Sequence, residues 1–360
     1  MYERIFVYVG TYTHGESEGI YIFRLNQDTG SLEPTGKATN ITNPSFLAVS
    51  PSKKYLYAVN EVGSFEGKRT GAVSSYSINL ETGELTLLNT KPSGGTSPCY
   101  VTVDETGRFV LAANYGNGSV CVLPVMDDGS LGDATDIVQH RGSSVNPKRQ
   151  EGPHAHSVIL DPSNRYAYVA DLGIDKIMIY KFDSERGKII PNDQPWVSTH
   201  PGAGPRHFTI HPNRRFAYVI NELDSTVTAF SFDSETGRLK PIQTISTLPE
   251  DYEGTNYPAD IHVSSSGRFL YGSNRGHNSI VIYEIDEETG RLSMIGHEST
   301  HGRIPRNFAI DPNGKFLFAA NQESDNIVIF RLDEDTGLLE PTGEEVKVPT
   351  PVCIKFLPLP

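Results

Sequence analysis

Residues Arg206–Leu239 read "RHFTIHPNRRFAYVINELDSTVTAFSFDSETGRL", and Arg306–Leu339 read "RNFAIDPNGKFLFAANQESDNIVIFRLDEDTGLL". Laid over one another, the two stretches share one rhythm. A short Val/Ile/Phe/Tyr-rich run ends in a Pro-Asn turn, and a second run ends in Asn. A polar loop, a third run and a D-x-x-T-G turn follow, with a fourth run after it. Runs of this length, bounded by Gly, Pro, Asn and Asp, are strand signals. Each unit therefore holds four short strands. Outward from these two stretches, related units begin near Pro44, Pro98, Pro153, Pro205, Pro258 and Pro305. The glycine of the late turn falls at Gly30, Gly83, Gly129, Gly187, Gly237, Gly290 and Gly337, at spacings of 46 to 58 residues. A period of this size with four strands per unit is the signature of propeller blades.

The ends of the chain extend the pattern. The first unit, "FVYVGTYTHGESEGIYIFRLNQDTGSLEPTG", lacks an opening strand, and the C-terminal "TPVCIKFLP" resembles the openings "GPRHFTIHP" and "IPRNFAIDP". The expected fold is all-β: a seven-bladed β-propeller with four-stranded blades, closed by the C-terminal strand joining the N-terminal blade. The chain is expected to form one domain over residues 1–360. Closure of this kind leaves no unpaired sheet edge at the seam.

Bulk composition narrows the function. Among 360 residues there are 33 Gly and 24 Pro, 21 % are charged, and the formal net charge is −13. Nucleic-acid and anionic-membrane surfaces need clustered Lys and Arg, so neither partner is expected. No apolar run approaches a membrane span of about 20 residues. Cys99, Cys121 and Cys353 form neither a disulfide framework nor a metal motif. A soluble, monomeric, cytoplasmic protein is the expectation.

The repeat also supplies a coordinate system. Six residues before each first-hairpin turn stand Ser45, Cys99, His156, Arg206, Ala259, Arg306 and Val352. Just past the end of each second strand stand Tyr12, Glu61, Tyr115, Leu172, Glu222, Arg275 and Gln322. The two strands are antiparallel neighbours, so both sets meet at one mouth of a central channel. The Asn that recurs at 60, 114, 221, 274 and 321, with Asp171 in its place once, is read as structural because nearly every blade has it. His156, Arg206, Arg306, Glu222 and Arg275 differ from blade to blade. Several cations, histidines and a carboxylate on one rim suit a small anion. A solvated ring of charges is the alternative.

Taken together, "GPHAHSV", "GAGPRHFTIHP", "YVINEL", "YGSNRGHNSI" and the repeated D-x-x-T-G-x-L turns resemble the seven-bladed propeller lactonase family over essentially the whole chain. That family includes bacterial 6-phosphogluconolactonases and fungal carboxymuconate lactonizing enzymes. The resemblance implies a hydrolase opening a sugar δ-lactone, foremost 6-phospho-D-glucono-1,5-lactone, at the channel mouth, without cofactor or metal. Lactonization of a muconate and non-catalytic ligand binding are the alternatives. Carried over, the family's catalytic set falls on the histidines of "HAH", on Arg206, Glu222 and Arg275. The internal alignment favours His156 for acid–base work and His154 as its helper. Arg306, His207, His277, Glu61 and Tyr115 are the expected substrate contacts. A divalent ion held by Asp171, Glu222 and Asp260 is the rival mechanism, opposed by the nearby arginines. The connection from Asp136 to Gln150 is unusually long, and its Lys148 and Arg149 either cover a phosphate or sit in solvent. His262 is expected at a blade interface. His14, His140, His200, His211 and His297 are expected at surfaces or turns.

Overall fold

The computed structural model describes residues 2–360. Seven four-stranded antiparallel sheets are arranged in a ring, and consecutive inner strands touch one another around the whole circle. The inner strand of blade 1 is Pro351–Leu359, paired along Arg4–Thr11 from Arg4↔Leu359 to Thr11↔Pro351. The inner strands of blades 2 to 7 are Leu47–Val49, Pro98–Val103, Ala155–Leu160, Pro205–Ile210, Tyr257–Val263 and Pro305–Ile310. The last strand thus completes the first blade. The helical content among the described residues is one short 3-10 turn, Leu172–Ile174.

Blades adhere through a repeated device that accounts for the glycine period. Each turn glycine has φ between 64° and 85° and lies flat on an aromatic ring of the preceding blade. The pairs are Gly30 on Phe316, Gly83 on Phe6, Gly129 on Tyr55, Gly187 on Phe109, Gly237 on Tyr166, Gly290 on Phe216 and Gly337 on Phe269. A Cβ at any of these glycines would come within 2.1 to 2.9 Å of the ring. Both the left-handed backbone and the close approach require glycine. In five blades a buried tyrosine two residues further on donates its hydroxyl to the carbonyl of the same glycine. These are Tyr8 to Gly83, Tyr57 to Gly129, Tyr168 to Gly237, Tyr218 to Gly290 and Tyr271 to Gly337. Leu111 and Phe318 occupy the equivalent places in blades 3 and 7. The apolar clusters likewise span adjacent blades, as in the Ile177–Phe208–Phe230 packing between blades 4 and 5.

The recurrent asparagines are buried, and three of them tie their blade to the connection arriving from the preceding one. Asn114 donates to Ser93 O and Ser119 Oγ, Asn274 to Thr247 O, and Asn321 to Thr300 O. His140, expected at a surface or turn, is instead buried. Its Nδ1 lies 2.6 Å from Asp171 Oδ2. In blade 4 Asp171 stands where five other blades have Asn, and its carboxylate meets the imidazole. His211 does sit in its turn, but it is buried and donates to Gly267 O. His262 packs edge-on against Phe308 of the next blade, 4.8 Å between ring centres.

Candidate active site

A β-bulge brings the first set of rim residues into the channel. In blades 3, 4, 5 and 7 the ladder skips one residue between Pro98 and Tyr100, Ala155 and Ser157, Pro205 and His207, and Pro305 and Asn307. The skipped residues are Cys99, His156, Arg206 and Arg306. A bulged residue leaves the ladder and is re-aimed, here toward the axis. The second set is fixed by backbone bonds from the end of each second strand to the loop ahead of the inner strand: Glu61 N to Asn43 O, Tyr115 N to Ser97 O, and Glu222 N to Gly204 O.

These residues enclose a cavity of about 290 Å³ lined by Glu61, Cys99, Tyr115, Arg149, His156, Glu222, Tyr257, Arg275 and Arg306. Below it a space of about 10 Å³ shares Glu61, Cys99 and Arg306 and adds Phe46, Arg206 and His207. There Phe46 stacks on Tyr100 at 4.0 Å, and His207 stands edge-on to both at 5.8 and 5.2 Å. This narrow space has room for about one water, and the cavity above it is the cup.

Glu222 is the hub of the cup wall. Its Oε1 accepts from Arg149 Nη2 at 2.5 Å, and its Oε2 accepts from Arg206 Nε at 3.0 Å and Arg275 Nη2 at 2.8 Å. Burial alone would raise this carboxyl. The guanidiniums of Arg275, Arg206 and Arg149 overcome it and hold Glu222 far below the usual carboxylate range. Glu222 is therefore an anion at every pH of interest, with both oxygens bound by arginines.

Arg206 is buried at 2 % exposure and lies behind the cup wall. Its Nη1 donates to Ala259 O and lies 3.1 Å from His207 Nε2, whose Nδ1 is 2.7 Å from Asp260 Oδ1. Arg206 has no acceptor lone pair, so the network assigns the proton of His207 to Nδ1 and makes Nε2 the acceptor. Burial first, then the Arg206 charge, push His207 down to about 4, which agrees with a neutral ring. Burial and the neighbouring Arg275 and Arg306 also push Arg206 downward, but a guanidinium stays charged in proteins.

His156 is buried at the cup floor, with Nδ1 3.6 Å from Cys99 Sγ. Burial, then the charges of Arg206, His207 and Arg306, hold it well below its ordinary value. It is a neutral imidazole at pH 7. Burial pushes the Cys99 thiol far upward, so no thiolate is available for nucleophilic attack.

His154 is stacked on Tyr115 at 4.6 Å, with Nδ1 2.9 Å from Tyr115 O and Nε2 3.1 Å from Glu151 Oε1. It supports Tyr115 from outside the cup. His277 also lies off the cup wall, its Nδ1 2.7 Å from Ser279 Oγ and its ring edge-on to Tyr252 and His297. Of the predicted set, the structure brings His156, Glu222, Arg275, Arg306, Glu61 and Tyr115 to the cup. It sets Arg206 and His207 beneath them and leaves His154 and His277 outside.

Arg149, Tyr257 and Cys99 complete the wall. Cys99 was already in the ring of equivalent positions, but its type gave no reason to select it. Arg149 comes from the long connection, where no other blade offers a comparison. That connection is tied down by the buried Asp175, which accepts from Gln150 Nε2 and from the backbone of Gly202 and Gly204 in the loop before Arg206. Lys148 is exposed.

Arg306 differs from the other arginines. Its guanidinium lies over the Tyr12 ring at 5.4 Å, and among the described residues it has no hydrogen-bond or ion-pair partner. Among the same residues no three His, Cys, Asp or Glu side chains converge as a metal site.

The structure is a closed seven-bladed propeller with an arginine-rich cup at its axis. The lactonase, 7-bladed beta-propeller family model matches residues 6–356, and the chain belongs to that family. It is 40 % identical over 350 residues to a 6-phosphogluconolactonase of Bacillus subtilis, covering 97 % of each chain. A putative 6-phosphogluconolactonase from Bacteroides fragilis superposes with a TM-score of 0.91 at 38 % identity, over 98 % of each chain. A periplasmic gluconolactonase of Pseudomonas aeruginosa superposes with a TM-score of 0.93 at 35 % identity, over 99 % of this chain and all of that one.

Proposed function

We propose that this protein is a lactone hydrolase whose substrate is 6-phospho-D-glucono-1,5-lactone. One observation carries the reading. A cup sized for a sugar is walled by three guanidiniums, and Arg306 among them is unpaired. A phosphate dianion is the natural counter-ion for an unpaired guanidinium, which offers a planar fork of donors. The relatives named 6-phosphogluconolactonase support the same choice.

Hydrolysis of a δ-lactone requires attack of water on the carbonyl carbon, stabilisation of the resulting oxyanion, and a proton for the departing ring oxygen. Arg275 and Arg149 are held by Glu222 at fixed positions on the wall. Fixed donors of this kind stabilise charge as it develops without reorganising. The neutral His156 at the floor offers one donor and one acceptor to the substrate or the attacking water. Arg206 acts from behind, anchoring Glu222, and His154 positions Tyr115.

The three cysteines are free and buried, which fits the reducing cytoplasm, and no helix is long and apolar enough to cross a membrane. A closed ring leaves its inner edges covered, so we take the working unit to be a monomer.

The test is a panel of phosphorylated and unphosphorylated sugar lactones and a muconate, with spontaneous hydrolysis subtracted. The expected result is acceleration of the phosphorylated δ-lactone above its unphosphorylated analogue. Acceleration of none would make the cup a binding site without chemistry.

A further inference from the structure

The cup holds two carboxylates, and their surroundings have little in common. Glu222 is bound by three arginines. Glu61, at the end of the second strand of blade 2, faces the same cavity but lies in no ion pair among the described residues. Its Oε2 accepts from the hydroxyls of Tyr12, at 3.0 Å, and Ser45. Its Oε1 has no protein partner among those residues and is left for a ligand or water.

We propose that Glu61, rather than Glu222, is the catalytic carboxylate that takes a proton from the attacking water and returns it to the leaving ring oxygen. The proposal rests on the lactonase reading and names a proton-transfer group within it.

Chemistry separates the two groups. A base must have a lone pair to spend and an affinity for the proton. Glu222 has little of either, since three guanidinium donors occupy three of its roughly four acceptor sites and hold its carboxyl far below the usual range. Glu61 is surrounded by Tyr12 from blade 1, Cys99 from blade 3 and Arg306 from blade 7, with Arg206 beneath and His156, Glu222, Arg149 and Arg275 lining the same cup. Burial dominates there and raises its carboxyl above the ordinary value, while Arg306, Ser45, Tyr12 and Arg206 only partly oppose this. Two carboxylates in one site whose environments drive them apart mark a division of roles between proton transfer and charge stabilisation.

The step balances. Water oxygen bonds to the lactone carbonyl carbon while its proton passes to Glu61. The tetrahedral oxyanion then collapses, the bond between the carbonyl carbon and the ring oxygen breaks, and Glu61 returns the proton to that oxygen. The product acid releases its own proton to solvent and leaves as a carboxylate. The backbone N–H of Glu61, bonded to Asn43 O, fixes the base of the side chain. The hydroxyls of Tyr12 and Ser45 keep Oε2 occupied and turn Oε1 to the substrate.

The experiment compares kcat and KM of wild type, Glu61→Gln and Glu61→Asp on 6-phosphogluconolactone across pH, with a melting curve for each. A general base works only when ionised, so wild-type kcat should rise with pH through the Glu61 titration, along an acid limb above the ordinary Glu value of about 4.3. Glu61→Gln should lower kcat by about 10²–10⁴-fold, leave KM nearly unchanged and abolish the acid limb. Glu61→Asp should keep the limb at a reduced rate and a shifted midpoint. Near wild-type kcat with the limb intact in Glu61→Gln would overturn the assignment while the lactonase reading stands. If Glu61→Gln fails to fold, an unshifted limb in Glu61→Asp overturns it equally. A wild type that accelerates no lactone removes both.

Discussion

Arg306 and Glu222 represent the two ways in which a charge is kept in this cup. Arg306 has no protein counter-ion in contact and can bind one from solution. Replacing it by Gln removes a charge-assisted contact worth about 1.5–3 kcal/mol, or roughly 10- to 100-fold in affinity. Arg306→Gln should therefore raise KM for the phosphorylated lactone by about that factor and change the unphosphorylated analogue much less, as measured by steady-state kinetics of both. Glu222 is the opposite case, a buried anion balanced by three cations. Removal of one partner from a buried ion cluster costs about 3–5 kcal/mol, so Glu222→Gln should lower the denaturation midpoint markedly before any effect on rate is considered. The sign with pH follows from its depressed folded-state value. Glu222 contributes stability above the unfolded-state value of about 4.3, and that contribution is lost as pH falls through the folded value. The acid limb of wild-type stability should accordingly be steeper than that of Glu222→Gln, in denaturant titrations carried from neutral pH downward.

At this scale much of the cup was readable from sequence. His156, Glu222, Arg275 and Arg306 stand out because their ring positions vary from blade to blade, and Glu61 and Tyr115 are found because they share those rings. The sequence leaves Arg149 open between covering a phosphate and sitting in solvent, because its connection has no equivalent in other blades; it lies on the cup wall. Burial was the other hidden variable. The notation of a repeat puts Arg206 and Arg306 in one ring, but Arg206 meets Glu222, Ala259 and His207 while Arg306 meets only the face of Tyr12.

Among elements, the bulge and the turn govern the design. Strand alternation alone sends every second side chain of an inner strand toward a neighbouring blade. The skipped residue at each bulge breaks that alternation at the mouth and supplies the functional ring. Periodicity located these residues, but their projection came from the bulge, which no residue type announces. The turn was more legible, since D-x-x-T-G carries its own geometry. In blade 5, Asp233 Oδ1 accepts from the backbone of Glu235 and Thr236, and Gly237 N donates to Asp233 O. What the turn is for emerged only from its contact with the blade before it. Gly237→Ala should destabilise by at least the roughly 1–2 kcal/mol of a left-handed alanine, plus the displacement of Tyr166 from 2.5 Å. Tyr218→Phe should cost only the ~1 kcal/mol of one hydrogen bond, because Leu111 and Phe318 already do without it. Differential scanning of both variants checks the order, and a Tyr218→Phe loss exceeding that of Gly237→Ala would contradict this account of the seam.

For the whole molecule, the blade count and the closing strand were both readable, because each blade repeats one pattern and the first copy lacks the strand that the C-terminus supplies. Removal of residues 351–360 should leave Arg4–Thr11 with an unpaired edge facing the channel. The truncated chain should lose its cooperative melting transition or aggregate, as read by scanning calorimetry and light scattering. A truncated chain that melts like wild type would show that the ring holds without its clasp.

The pairing of Pro351–Leu359 with Arg4–Thr11 also sets a schedule for the nascent chain. Blades 2 to 7 are each continuous in sequence and are available to form in the order of synthesis. Blade 1 waits, with Arg4–Thr11 already made, until Pro351–Leu359 has been synthesised. During that interval the backbone edge of Arg4–Thr11 lacks the strand it pairs with in the finished protein and is open to pairing with a second chain at the same stage. Ring closure joins strands about 340 residues apart in sequence, so the slowest folding event and the greatest exposure to misassembly fall together at the pairing of that last strand.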